Sequence, residues 1–443
     1  MEPTSAQRTT AMTDDEMQRV ISEIPLSRAH ADPSACILAL KPLLLAKEGR
    51  RLLMNQARDE ALILIELFDW ALKSHENTLN LNKGYVLWTL RQLCASQETL
   101  PRSCILPIEF KTSDPHHAAG GFADVWKGTY EGIDVAFKTL RRSTQVDDAT
   151  RLKRKRRFCK EVILWKSLNH PNILGLVGVC RWDNTPEARL TMVSPWMSNG
   201  NITEYTKNNA CQRMQLLIDC ARGVQHIHRM GLVHGDLKGA NTLITSDNPV
   251  RACLADFGFT TIVNDDPNDP GITSALGGGT VPFMAPELLC PSHFNKPRCQ
   301  VSKESDVYAF GMVILQVLTS LIPFRKLQHT EISYKVIQGE RPKMPEDAQT
   351  MGISQDLWDL LGRCWLADST QRPRIEVVFQ HLSNDPARGT IFPPWKIHPS
   401  PSEESLPESG TQKYVFYTAD QHTPVEGMPL LVLDGECFDA DVT

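Results

Sequence analysis

The chain has 443 residues, 41% of them hydrophobic and 22% charged, with a formal net charge of -5. That is long enough for two or three packed units and gives no whole-chain basic excess of the kind a nucleic-acid or membrane-surface protein carries. The 12 cysteines are scattered without a C-x-x-C pair, which argues against a zinc ribbon, a thioredoxin-type site or a disulfide scaffold and for reduced thiols in the cytosol or nucleus.

Residues 1–30 are polar and aperiodic, lack a basic-then-apolar signal pattern, and are expected to have no stable structure. Across 31–100 the pattern turns helical. Leu53, Ala57, Ala61, Leu64, Ile65, Phe68 and Leu72 recur three and four apart, which predicts one face of one long helix. Pro42 interrupts the apolar run before it, and Gly84 marks a break before Tyr85, Leu87, Trp88 and Leu90. Two to four helices are expected, forming either an extension docked on the next unit or a regulatory module that binds a protein partner. No apolar run approaches bilayer length, so no membrane span is expected.

Pro101 and Pro107 read as a linker. Beyond Glu109, the segments 122–130 and Ile133–Leu140 read as paired strands joined at Glu131-Gly132. A basic helical stretch runs to about Leu168, short strands to about Met197, and helices dominate from Asn201 to about Leu382. A small mixed lobe followed by a larger helical lobe is an α+β arrangement with a cleft between the lobes. The tail, 384–443, is rich in Pro, Ser and acid, and is expected to be mostly unstructured, with a short β-prone run at Tyr414 to Tyr417.

Five segments carry chemistry. The small residues Ala118, Ala119, Gly120, Gly121, Phe122 and Ala123 lie between two predicted strands, where they permit close backbone approach to phosphates or simply make a hairpin turn. Lys138 ends the apolar strand Val135-Ala136-Phe137, either as an edge lysine or aimed at phosphate. Glu161 sits on a helix with Phe158, Val162 and Trp165, either solvated or paired with that lysine. His234-Gly235-Asp236-Leu237-Lys238-Gly239-Ala240-Asn241 gathers two oxygen donors and a lysine after a helix, 213–230. Asp256-Phe257-Gly258 follows an apolar run. Phosphoryl transfer from ATP needs such parts: covered phosphates, oxygen ligands for Mg²⁺, which Asn241 and Asp256 provide, and a carboxylate, Asp236, to take the acceptor's proton.

In this order and context, the stretch from about Cys104 to Leu382 resembles a eukaryotic protein kinase catalytic domain, with Ala285-Pro286-Glu287, Asp306 through Gly311 and Arg372-Pro373 following in family order. The resemblance implies a bilobal kinase fold over 101–383, ATP and Mg²⁺ as cofactors, and protein substrates. It implies catalytic roles for Lys138, Glu161, Asp236 and Lys238, metal ligation by Asn241 and Asp256, and a buried Glu287–Arg372 pair. Val193 to Met197 would form the adenine hinge, with Ser194 a small gatekeeper beside Pro195, Trp196 and Met197, while Val125, Ala136 and Leu243 would sandwich the base. Trp165, Leu176, His234 and Phe257 would stack as an internal spine. His170-Pro-Asn-Ile-Leu-Gly-Leu-Val-Gly-Val and Cys364-Trp365 resemble the tyrosine-kinase-like group, whereas Lys238 and the Gly279-Thr280 stretch resemble serine/threonine kinases; Lys238 and Thr280 would meet the phosphoryl group and the acceptor.

The sequence also departs from the pattern. Ala118 and Ala123 stand where the family has loop glycines, so weaker nucleotide binding is expected. Gly235 replaces the arginine that normally meets an activation-loop phosphate, so phosphorylation at Thr260, Thr261, Thr273, Ser274 or Thr280 is not expected to be the main switch. The basic run Arg151–Arg157 is a solvated face, an import patch, or a dock for acid, including the acidic tail. A pseudokinase scaffold is the alternative to an active enzyme.

Overall fold

The computed structural model describes residues 16–17, 19–20, 29, 31–74, 81–109, 118–119, 123–140, 147–181, 190–262 and 281–394, with backbone alone at 109, 118, 119, 123, 140 and 190. Of residues 1–30, Met17 and Ala29 are buried, so that stretch is not wholly without packing.

Beyond the helical residues at 16–17 and 19–20, four helices follow: α1 (Pro33–Leu45), α2 (Lys47–Met54), α3 (Arg58–Lys73) and α4 (Lys83–Gln97). Asp32 caps α1 by accepting from the Ala35 amide, and Asn82 caps α4 by accepting from the Gly84 and Tyr85 amides, leaving Gly84 just inside the helix start. Two expectations change here. Pro42 lies inside α1 instead of ending it. The carbonyl one turn back, which proline cannot satisfy, belongs to Leu38 on the exposed face, where water can reach it. The single long helix is two: Asn55–Ala57 separates α2, which carries Leu53, from α3, which carries Ala61, Leu64, Ile65 and Phe68. The periodicity persists across the break because both helices bury these residues in one core.

The small lobe is built on a six-stranded sheet in the order β1-β5-β6-β4-β3-β2. Its edge, β1 (Ile105–Glu109), runs parallel to β5 (Gly178–Arg181), with Ile105 opposite Val179. This stretch was expected to be linker. Pro107 argues against a strand in the sequence, yet proline is tolerated at a sheet edge because its missing amide breaks no ladder bond. The strands β3 (Ala123–Tyr130) and β4 (Ile133–Leu140) form the expected hairpin, with left-handed Glu131 (φ 49°) and Gly132 (φ 77°) at the turn. β2 (Ala118–Ala119) pairs with β3, and β6 (Leu190–Pro195) pairs with β4 and β5.

Helix α5 (Asp148–Ser167) is capped by Asp147, which accepts from the Thr150 amide at 2.9 Å. Helix α4 packs along it. Val86, Leu90, Leu93 and Cys94 of α4 share a continuous buried core with Phe158, Cys159 and Val162 of α5, and that core extends into the large lobe. The helical region is therefore an extension packed on the rest of the molecule.

The large lobe contains α6 (Ile202–Asn208), α7 (Arg213–Arg229), α8 (Pro286–Leu289), α9 (Lys303–Thr319), α10 (His329–Ile337), α11 (Gln355–Cys364) and α12 (Ile375–Asn384), with short strands β7 (Leu232–Val233), β8 (Thr242–Ile244), β9 (Ala252–Leu254) and β10 (Thr261–Ile262). The expected boundary at 383 falls inside packed structure. Asn384 closes α12, the Phe392 backbone exchanges two 3.0 Å hydrogen bonds with Cys211, and Arg213 donates to the Pro393 carbonyl at 3.0 Å. The remainder of the tail, including 414–417, lies outside the described residues, and among those described no helix is long and apolar enough to cross a membrane.

Candidate active site

The expected residues converge between the lobes. Strand β4 presents Lys138, whose Nζ donates to Asp256 Oδ1 at 2.8 Å and Glu161 Oε1 at 3.3 Å. Glu161 comes from the buried face of α5. Burial by itself would push the Lys138 ammonium down, but the Asp256 and Glu161 carboxylates beside it raise it instead. In return, the Lys138 ammonium holds the Asp256 carboxyl down to about 2 against its own burial. Asp256 and Lys138 are thus both charged across the neutral range.

Asp256 has φ 64°, a left-handed conformation that is strained for a non-glycine residue. The residues around it over-determine it. Ala255 donates its amide to the Asn241 carbonyl at 2.8 Å, and Phe257, only 1% exposed, is packed with Trp165 (ring centroids 5.8 Å apart) and His234 (5.4 Å). With buried Leu176 these are the four residues expected to form the spine.

Asp306, at the start of α9 and 1% exposed, holds the catalytic loop from beneath. Its Oδ2 accepts from the His234 amide at 2.8 Å and lies 2.9 Å from His228 Nε2, while its Oδ1 accepts from the Gly235 amide at 2.9 Å. Gln316 Oε1 accepts from the Gly239 amide at 3.1 Å. On that frame, buried Asp236 Oδ2 accepts from Lys238 Nζ at 2.7 Å and from Asn241 Nδ2 at 2.8 Å, and Asn241 Nδ2 also donates to the Asp236 carbonyl at 2.9 Å. Asn241 makes both contacts through its side-chain nitrogen, and its side-chain oxygen is the atom that suits a cation. That oxygen and the half-exposed Asp256 carboxylate are hard donors that fit Mg²⁺, an ion that takes few protein ligands and completes its shell with phosphate and water oxygens.

The proposed nucleotide wall lies where β3, β4, β6 and β8 meet the hinge. Val125 is opposite Lys138, Ala136 is opposite Ser194, and Pro195 is opposite Val135. Ser194 is buried, Trp196 donates its amide to the Asp134 carbonyl at 3.0 Å, the Met197 carbonyl accepts from Gly200 at 3.0 Å, and Leu243 is partly buried on β8. In the phosphate loop, Ala118 and Ala119 form β2 and Ala123 begins β3, while Gly120, Gly121, Phe122 and the acceptor-side Thr280 lie outside the described residues. Thr260, one of the candidate hydroxyls for modification, is buried, with its hydroxyl donating to the His234 carbonyl at 3.2 Å.

Two structural roles were missed by the sequence reading: Asp306 as the anchor of the loop amides, and Gln316 beneath Gly239. The available signal for Asp306 was an acid opening an otherwise apolar helix. The expected pair of Glu287 and Arg372 is formed bidentately, at 2.7 Å for both contacts, with the Arg372 side chain fully buried.

Comparison with known proteins agrees with this geometry. The serine/threonine-protein kinase STY46 of Arabidopsis thaliana is 29% identical over 271 residues, 60% of this chain and 42% of that one. The serine/threonine/tyrosine-protein kinase HT1, also of Arabidopsis thaliana, is 30% identical over 264 residues, 58% of this chain and 61% of that one. The tyrosine-protein kinase Abl of Drosophila melanogaster is 27% identical over 281 residues, 61% and 15% of the two chains. The chain thus spans less than two thirds of the length of these relatives. The family model for protein tyrosine and serine/threonine kinases matches residues 114–382, more than half of the sequence and all of the site residues described above. The chain belongs to the protein tyrosine and serine/threonine kinase family.

Proposed function

We propose that this protein is an active serine/threonine protein kinase that transfers the γ-phosphoryl group of Mg·ATP to hydroxyls of protein substrates. The observation that carries the reading is the simultaneous presence of the Lys138–Glu161 contact, the Lys138–Asp256 contact and a buried Phe257. Together they bring Lys138, Glu161 and Asp256 into direct contact beside a buried Phe257, which supports an assembled catalytic cleft. Protein kinases as a family use ATP and Mg²⁺, and Mg²⁺ bound by Asn241 and Asp256 would neutralise charge on the phosphates.

The chain's own residues do the rest. Lys138, fixed by two carboxylates, binds the α- and β-phosphates. Asp236, held by Asn241 and Lys238, orients the acceptor hydroxyl and takes its proton. Lys238 sits where its ammonium offsets charge on the phosphoryl oxygens in transit. Ser194 leaves room behind the purine, and Val125, Ala136 and Leu243 cover its faces. Lys238 and the likeness to STY46, a serine/threonine-protein kinase by name, both support serine and threonine as acceptors. The mostly buried thiols, Cys94, Cys104 and Cys159 among them, support a cytosolic or nuclear setting.

Labelled phosphate transfer from Mg·ATP to an array of Ser, Thr and Tyr peptides tests the reading. Wild type is expected to label Ser and Thr peptides and Lys138→Met to label none. Labelling of Tyr alone would contradict the acceptor class, and an inert wild type would favour the pseudokinase alternative.

A further inference from the structure

The segment that leaves the metal-binding carboxylate is gripped from outside the kinase domain. Arg91 lies on α4, before the matched region 114–382, and is 6% exposed. Its Nη2 reaches across to the Thr260 carbonyl at 3.4 Å, a long but charge-assisted contact between residues 169 apart in sequence. A second arginine joins it. Arg157 of α5 donates to the Gly258 carbonyl at 3.1 Å, and its guanidinium lies 5.1 Å from the Phe259 ring centroid. Two cations on two packed helices thus hold three successive residues just beyond Asp256.

The opposite side of that segment is equally closed. Thr260 is hydrogen-bonded to the His234 carbonyl, and β10 pairs with β7, placing Thr261 opposite Val233. Gly235 sits beneath with φ 81°, and a β-carbon there would come within 2.7 Å of the Phe259 carbonyl oxygen. The position at which the resemblance expects a phosphate-reading arginine therefore has no space for a side chain. The cations come instead from α4 and α5, and they address backbone carbonyls, which are always present, in place of a phosphate, which is not.

We propose that Arg91 is a positioning residue of the active site: with Arg157 it clamps residues 258–260 onto the catalytic loop, so the helical layer α1–α4 is a built-in part of the catalytic unit and the clamp is set by folding rather than by phosphorylation. The layer can do this because α4 shares its buried core with α5 and because Lys155 of α5 pairs with Glu98 just past α4 at 3.2 Å. Correct placement of 258–260 in turn sustains the strained Asp256 backbone and the buried Phe257. The proposal rests on the kinase reading for its catalytic consequence, but its structural part stands apart from it.

The test uses the full chain and two readouts. Arg91→Met keeps the apolar stem and removes the guanidinium, and Arg91→Lys keeps a cation. Amide exchange at 258–262 is expected to rise about tenfold or more in Arg91→Met, as loss of one charge-assisted hydrogen bond implies, with partial recovery in Arg91→Lys. The kcat is expected to fall by about the same factor, while KM for ATP and the melting temperature barely move. Arg157→Met should reproduce both effects independently, which keeps the proposal testable if Arg91→Met does not fold. Unchanged exchange at 258–262 would overturn the clamp, as would equal loss in Arg91→Met and Arg91→Lys or a kcat that merely tracks melting temperature. If wild type labels no acceptor, the kinase reading fails and the exchange data alone decide the clamp.

Discussion

At the site, two carboxylates compete for one lysine, and Asp256 gains most from the contact. Because its folded carboxyl sits near 2, below the usual value near 4, its stabilisation by Lys138 is fully present above about pH 4 and is lost as pH falls toward 2. The stability advantage of wild type over Lys138→Met, measured as urea midpoints, is therefore expected to shrink from pH 5 to pH 3. The Asp256 side chain is 40% exposed, so solvent screening keeps that advantage below what the shift alone would suggest. An advantage that stays constant over this range would contradict the pairing. Gly235 makes a second residue-level prediction. Restoring the family's arginine by Gly235→Arg is expected to lower kcat and melting temperature, because the left-handed backbone and the Phe259 carbonyl leave no space for a β-carbon. A gain of activity in Gly235→Arg would show that the missing arginine is a defect and not an adaptation. The charged residues of the site were legible in the sequence because each sits in a short local motif whose neighbours fix its backbone. The reason Gly235 is glycine was not legible, since it lies in a contact with Phe259, 24 positions away.

Between elements, the connections hardest to read were those that join distant parts of the chain. The segment 105–109 carried a proline and no clean alternation, so it read as linker, yet it is the edge strand that pairs in parallel with β5. Parallel pairing has no hairpin turn to announce it. The hairpin of β3 and β4 announced itself through Glu131-Gly132. The helical layer was visible as helices, but its seat on α5 was not, because amphipathic periodicity reports that a face is buried and not against what. Leu90, 1% exposed on α4, tests that seat. Leu90→Ala is expected to cost about 2–5 kcal/mol and to speed exchange in α5 as well as α4, whereas loosening confined to α4 would mean the layer is only loosely attached. In the large lobe, Glu287 of α8 and Arg372, just before α12, form a dry bidentate pair. Glu287→Ala leaves Arg372 buried without its partner and is expected to lower stability by about 3–5 kcal/mol in denaturant unfolding; a change under 1 kcal/mol would mean water reaches the site.

Across the whole molecule, an apolar core centred on α5 joins the helical layer, one face of the small lobe and the large lobe, while Val135, Phe137, Cys180 and Val193 of the sheet form a second, separate cluster. The expected division at 100 and 101 marks a change of texture along the chain, not a break in packing, and the small lobe carries a helical backing that the family match does not include. This arrangement explains how a site with alanines in its phosphate loop and no catalytic-loop arginine still assembles its charged residues in contact. The central claim is that this assembly is catalytically competent. It is tested most directly by measuring Mg·ATP affinity and single-turnover transfer to a Ser/Thr peptide side by side in wild type and Asp236→Asn. The expected result is transfer by wild type, with Asp236→Asn binding nucleotide equally well and transferring about 10²-fold or more slowly. Nucleotide binding without transfer in wild type, or equal transfer by both proteins, would contradict it.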